Sequence, residues 1–165
     1  EGGSGEPYEM PYVFYILPGQ TKCIVLPGIQ AGPGITEAEL KVTQVNWMGY
    51  NPVGTVQFPL RSQDRTDGPQ PAVAGVIIND SDFDFDNVEV RVVVRNSRGD
   101  IIATNTTPIR TLLNHTERHF VVTWPQAISG FDTADIDVEA DTNLFKNSNF
   151  INRHGNMSEP FQKFY

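Results

Sequence analysis

The sequence predicts an all-β fold, a two-layer sandwich. Three observations carry that reading. A strand near the middle of the chain alternates valines with charged residues, turn signals recur at roughly 8 to 12 residue intervals around it, and no capped run shows helical periodicity.

The elements follow in chain order. A first strand is expected within Thr55–Arg65, closed by the turn cluster Thr66-Asp67-Gly68-Pro69. Pro71–Asn79 (PAVAGVIIN) is the second strand and stops at Asp80-Ser81-Asp82. In Asn87–Arg95 (NVEVRVVVR), Val88, Val90, Val92 and Val94 alternate with Glu89, Arg91, Val93 and Arg95, which is the period-two pattern of a half-buried strand. Asn96-Ser97-Arg98-Gly99-Asp100 then turns the chain into Ile101–Ala103, as a hairpin would. Arg118–Thr123 and Thr133–Ala140 supply the last two strands.

An internal repeat sharpens the architecture. At an offset of 96 residues, Leu17, Val25, Gln30, Ala31, Gly34, Ala38 and Val42 recur as Leu113, Val121, Gln126, Ala127, Gly130, Ala134 and Val138. Further positions pair conservatively, Lys22 with Arg118 and Ile24 with Phe120 among them. Chance would supply about two identities over that span. A period of this size fits an immunoglobulin-like β-sandwich, which takes about 100 residues, and exceeds any solenoid unit. The expected organisation is therefore the C-terminal half of such a repeat in residues 1–50, one complete sandwich in 51–145, and an aromatic-containing tail in 146–165. A half-sandwich exposes unpaired sheet edges, so it must belong to a longer protein, be completed by another chain, or pack on its neighbour.

Composition narrows the partners. Asp and Glu number 20 against 12 Lys and Arg, and the net charge of -8 repels phosphate backbones and anionic lipid. Nucleic acid is disfavoured. A single cysteine, Cys23, excludes an intrachain disulfide. No run approaches the ~18 apolar residues of a membrane span, and the first residues lack a signal peptide's basic and apolar regions. Any membrane anchor is expected outside this sequence.

The run VAGVIINDSDFDFDNVEVRVVVRNSRGDII followed by LLNHTERHFVVTWP resembles the FxLYD-type immunoglobulin-like domain of bacterial envelope proteins. YILPGQTKCIVLPGI resembles the corresponding half of a preceding repeat. Val94-Arg95-Asn96 stands where the family carries Leu-Tyr-Asp. The resemblance implies a location outside the cytoplasmic membrane, on the cell surface or envelope, and brings no catalytic residues.

Candidate sites are weighed against plainer roles. Asp80, Asp82, Asp84 and Asp86 place carboxylates at alternate positions, as calcium ligands would be, but an EF-hand loop begun at Asp80 would need Gly and Glu where Phe85 and Arg91 stand. A solvated turn with Phe83 and Phe85 directed inward accounts for the same spacing. Asp132, Asp135, Asp137 and Glu139 read as the polar face of a strand. Arg98-Gly99-Asp100 spells an adhesive tripeptide and is also ordinary turn chemistry. His115 and His119 share no helical face, so zinc-helix logic fails, and His154 lies in a polar stretch. Asn79, Asn105, Asn114 and Asn156 head sequons and read as turn residues. Trp47 and Trp124 are either buried sandwich aromatics or sugar-stacking platforms. Phe161, Phe164 and Tyr165 in the tail are expected to pack on the domain or on a partner.

These residues point to a non-catalytic immunoglobulin-like module without cofactors, serving as spacer, adhesive or assembly unit. Partners are expected to be proteins or further copies meeting through β-strand edges. The alternatives are a subunit of an extracellular filament built by strand complementation, and a carbohydrate-binding accessory domain.

Overall fold

The valine alternation does form a strand, and everything else is arranged around it. The structure, a computed structural model, describes residues 9–26, 39–47 and 56–144. Six strands, β1 (Leu60–Thr66), β2 (Ala72–Asn79), β3 (Phe85–Arg95), β4 (Ile101–Leu112), β5 (Thr116–Thr123) and β6 (Asp135–Asp141), make two antiparallel three-stranded sheets. Their orders are β1-β2-β5 and β4-β3-β6. The chain is thus an all-β sandwich; the described residues contain no α-helix, and a 3-10 turn spans Phe131–Thr133.

The core is the apolar inner face of both sheets. Val88, Val90, Val92 and Val94 of β3 are 0% exposed, and they pack with Val73 and Ile77 of β2 and Phe120 and Val122 of β5. Gly75 lies where β2 and β5 approach closely. A Cβ there would meet the Ser62 carbonyl oxygen at 2.5 Å and the Phe120 ring at 2.7 Å, so only glycine lets that ring lie flat against the strand. Edge-to-face aromatic pairs close the two ends: Phe58 with Phe85, centroids 5.1 Å apart, and Trp124 with Phe131, 5.7 Å apart.

One expectation about β3 needs correcting. The alternation suggested a half-buried strand, yet Arg91 and Val93 on its outer face are also buried. As the middle strand between β4 and β6, β3 has neighbours on both sides. Its outer face is covered as well, at the site described below.

β4 extends well past Ile101–Ala103. Its polar run and Pro108 disguised it, because proline fits a strand only where its missing N–H costs no ladder bond. The Thr104 carbonyl accepts from Trp124 Nε1 at 3.2 Å and so faces away from β3. Alternation puts Pro108 on that same outer edge.

Side chains link the two sheets at both flanks. On the β4–β5 flank, Asn105 Nδ2 donates to the Thr123 carbonyl at 2.7 Å. On the β1–β6 flank, Arg65 Nη1 donates to the carbonyls of Phe131, Asp132 and Ala134. At the β4–β5 corner the fully buried Asn79 gathers three carbonyls, those of Phe83 at 2.7 Å, Leu113 at 3.0 Å and Leu112 at 3.3 Å. Its Oδ1 accepts from Ser81 N and Ser81 Oγ. Asn79 anchors a corner in which Thr111 sits at φ 59 and His115 at φ 50, a conformation costly for a β-branched threonine.

Residues 9–26 and 39–47 contain no strand; the first of these stretches has a turn at Pro18–Gly19.

Candidate functional site

The described ionisable groups with perturbed pKa values converge where the upstream segment meets the outer face of β3 and β6. Here Asp141, at the end of β6, receives Lys22 as an ion pair and the Tyr15 hydroxyl at 2.7 Å. The same hydroxyl reaches the Thr142 carbonyl. Lys22 Nζ lies 3.9 Å above the Tyr15 ring, a cation–π contact added to the ion pair.

Arg91 extends the cluster across the sheet. Its Nη1 is 3.2 Å from Glu89, and its Nη2 is 3.4 Å from Asp141 and 3.7 Å from Glu139. Cross-strand pairing explains the grouping, since Glu89 lies opposite Asp141 and Arg91 opposite Glu139. The Lys22 side chain is 8% exposed, Arg91 6% and Asp141 19%. Among the described residues, Arg91 Nε is buried without a hydrogen-bond partner.

The electrostatics are those of a closed ionic joint. Burial raises the Asp141 pKa, but the hydrogen bonds from Lys22 and Tyr15 and the charges of Lys22 and Arg91 outweigh it, holding the carboxyl below its ordinary value. Burial, then the Asp141 charge and the bond to it, push the Tyr15 phenol far up, so it remains a donor. Tyr12 is raised too, by burial first and then by Glu89. Such an arrangement holds a chain segment against the sheet.

Sequence reasoning placed Glu139 on the polar face of a strand and Lys22 in the repeat, and marked none of the cluster as a joint. Arg91 and Glu89 read as a solvated strand face, and nothing in the text of Tyr15 or Lys22 points to Asp141 more than a hundred residues on. The positions that were named lie elsewhere. Asp80 and Asp86 are exposed, Asp82 pairs with His115 at 3.0 Å, and Asp84 Oδ1 accepts from Asn114 N at 2.8 Å. Phe85 is 1% exposed and lies in the core. Among the described residues, no group of three or more His, Cys, Asp or Glu is placed to hold a metal ion.

Trp124 is 7% exposed and locked in the core, with its ring N–H donated to Thr104, so it offers no sugar-stacking face. Trp47, by contrast, is 93% exposed. Phe161, Phe164 and Tyr165, with His154 and Asn156, lie outside the described residues. Arg98-Gly99-Asp100 occupies the β3–β4 turn with Gly99 at φ 85, and Arg98 pairs with Asp100 at 3.1 Å. Cys23 is partly buried in the upstream segment, and His119 is exposed on β5. Of the sequon asparagines, Asn79 has its amide buried and donated, and Asn105 bridges the sheets. No helix among the described residues is long and apolar enough to cross a membrane.

No family model matches the chain, and no curated protein matches it.

Proposed function

We propose that this chain is a non-catalytic, immunoglobulin-like structural module of an extracytoplasmic surface protein, a spacer or assembly unit in which each sandwich receives the segment before it. The ionic joint carries the reading: the most buried charged side chains hold an upstream segment in place instead of lining a cleft. Strand order supports it, because β1-β2-β5 and β4-β3-β6 correspond to the A-B-E and C′-C-F strands of an immunoglobulin sandwich. The 96-residue sequence repeat and the resemblance to envelope repeats point the same way. In this reading residues 9–26 belong to the end of one unit and are seated on the next.

Amide hydrogen exchange on the whole chain tests the proposal. Tyr12–Leu26 is expected to exchange more slowly than free peptide, though faster than β2, β3 and β5. Exchange at the free-peptide rate throughout Tyr12–Leu26 would leave no joint and remove the basis of the reading.

The filament alternative draws on the exposed apolar side chains of Leu40, Val42, Val45 and Trp47. The carbohydrate alternative rests on Trp47 alone, a single aromatic where a sugar platform generally needs polar partners beside it.

A further inference from the structure

The two flanks of the sandwich carry opposite charge. Along the β1–β6 flank, Asp64, Asp67, Asp132, Asp135, Asp137 and Glu139 are all exposed. On the opposite flank a shallow groove between the edges of β4 and β5 is lined by Arg110, Arg118 and His119, beside Pro108 and Phe120. Arg110 and Arg118 stand apart from the other described arginines. Arg61, Arg91, Arg95 and Arg98 hold carboxylates and Arg65 holds three carbonyls, whereas the side chains of these two have neither hydrogen bond nor ion pair among the described residues. Two guanidinium groups without a carboxylate among the described residues, on one groove of a chain with net charge -8, suit the carboxylates of a partner.

The groove also offers backbone. The Thr123 carbonyl turns away from β2 to meet Asn105, and alternation directs the N–H and C=O of Val121 and His119 to that same side. Among the described residues these groups have no partner. The facing edge of β4 is blunted by Pro108, which leaves β5 as the edge able to take a strand.

The upstream segment shows what such an edge meets. At the 96-residue offset Lys22 corresponds to Arg118, and Lys22 is ion-paired with the carboxylate that ends β6. A cation at the repeat position of Arg118 thus already holds the last carboxylate of β6, on the outer face of the sheet. Arg118 is the matching position in the 96-residue repeat, and it holds no carboxylate among the described residues.

We infer that the β5 edge of one copy of this chain, with Arg110 and Arg118, receives the acidic β6 edge of a second copy. Asp132 and Asp135, whose side chains hold no cation among the described residues, meet the two arginines, and β6 adds to β5 by strand pairing. Because donor and acceptor lie on opposite flanks, the contact is heterologous and adds copies beyond two rather than closing as a dimer. The inference rests on the assembly-unit reading, narrowing it to one pair of edges.

Sedimentation equilibrium of the whole chain tests it. At about 10 mM salt, where the Debye length is about 30 Å, the average mass should climb with concentration beyond two copies; at about 1 M, where it is about 3 Å, it should return to the 18.4 kDa monomer. Net charge alone predicts the reverse order, since self-repulsion is strongest at low salt. Arg110→Glu with Arg118→Glu should abolish association, as should Asp132→Lys with Asp135→Lys, each leaving the circular dichroism unchanged. Mixing the two charge-reversed proteins should restore it. In the associated state the Val121 and His119 amides should gain protection from exchange. A monomer at low salt, a mass that stops at two copies, association that survives the arginine reversals, or unprotected Val121 and His119 amides would each overturn the contact. Any of these leaves the slow exchange of Tyr12–Leu26 untouched, so failure here is distinguishable from failure of the module reading.

Discussion

Asp141→Asn isolates the charge at the centre of the joint. Asparagine keeps the size of the side chain and an acceptor for the Tyr15 hydroxyl, but leaves Lys22 without its counter-ion and Arg91 with one carboxylate fewer. Breaking a buried pair by removing one partner costs about 3 to 5 kcal/mol. Asp141 is 19% exposed and Lys22 8%, so water reaches part of the pair and the lower end applies. A loss of about 3 kcal/mol is roughly a 100-fold increase in the open population, at about 1.4 kcal/mol per factor of ten.

The loss should appear locally. Lys22 and Tyr15 can leave with their segment, after which Lys22 is solvated and the sandwich core is unchanged. Hydrogen exchange should therefore accelerate about 100-fold across Tyr12–Leu26 in Asp141→Asn, with little change in β2, β3 and β5. Glu139→Gln, at an exposed partner 3.7 Å from Arg91, should shift exchange far less. The pH dependence has a definite sign on both sides. The depressed Asp141 pKa contributes stability that is present above the ordinary carboxyl value of about 3.9 and is lost as pH falls through the lower folded value. The raised Tyr15 pKa contributes stability that is present below the ordinary phenol value of about 10 and is lost as pH rises beyond it. Unaltered exchange in Tyr12–Leu26 of Asp141→Asn, or equal acceleration throughout the core, would refute the reasoning.

Three further outcomes are expected. Gly75→Ala forces a methyl group against the Ser62 carbonyl and the Phe120 ring, and thermal unfolding should show a destabilisation of about 1 to 3 kcal/mol. Asn79→Ala leaves the Phe83, Leu112 and Leu113 carbonyls without their donor, costing about 2 to 3 kcal/mol in denaturant titrations; Asn79→Asp, which cannot donate, should be no better. Iodide should quench the fluorescence of Trp47 and spare Trp124, so Trp47→Phe removes the quenchable component. If polysaccharide quenches the wild type as iodide does, and Trp47→Phe abolishes the effect, the carbohydrate reading gains the support that Trp124 cannot give it.

The fold was legible where a physical pattern is local. Valine alternation located β3, and the turn clusters at Thr66–Pro69 and Asn96–Asp100 located the connections beside it. β4 was foreshortened because an edge strand with one side open tolerates Thr, Asn and Pro, which carry no apolar period. The joint was illegible for a different reason. A charged residue between valines has the same signature whether its outer face meets water or another segment, and only tertiary structure brings Tyr15 and Lys22 to it. Asn79 misled similarly: a strand-ending asparagine is ordinary turn chemistry, and its three carbonyl partners come from sequence up to 34 residues away. The Lys22–Arg118 correspondence was visible in the repeat, but the ion pair of Lys22 with Asp141 was not.

The joint and the core also differ in how they fail. The core is a continuous apolar cluster spanning both sheets, with Val73, Val88, Val90, Val92, Val94 and Leu112 at 0% exposure, so no part of it opens without uncovering the rest. The upstream segment has no strand pairing to the sandwich among the described residues and is held largely by side chains gathered on Asp141. Its opening costs a few polar contacts, which water replaces in part. Under tension applied through the chain, the segment should leave first while both sheets remain intact. A row of such units would lengthen by releasing joints, and the sandwiches would unfold only afterwards. That order follows from where the apolar surface is buried, whatever protein the module serves.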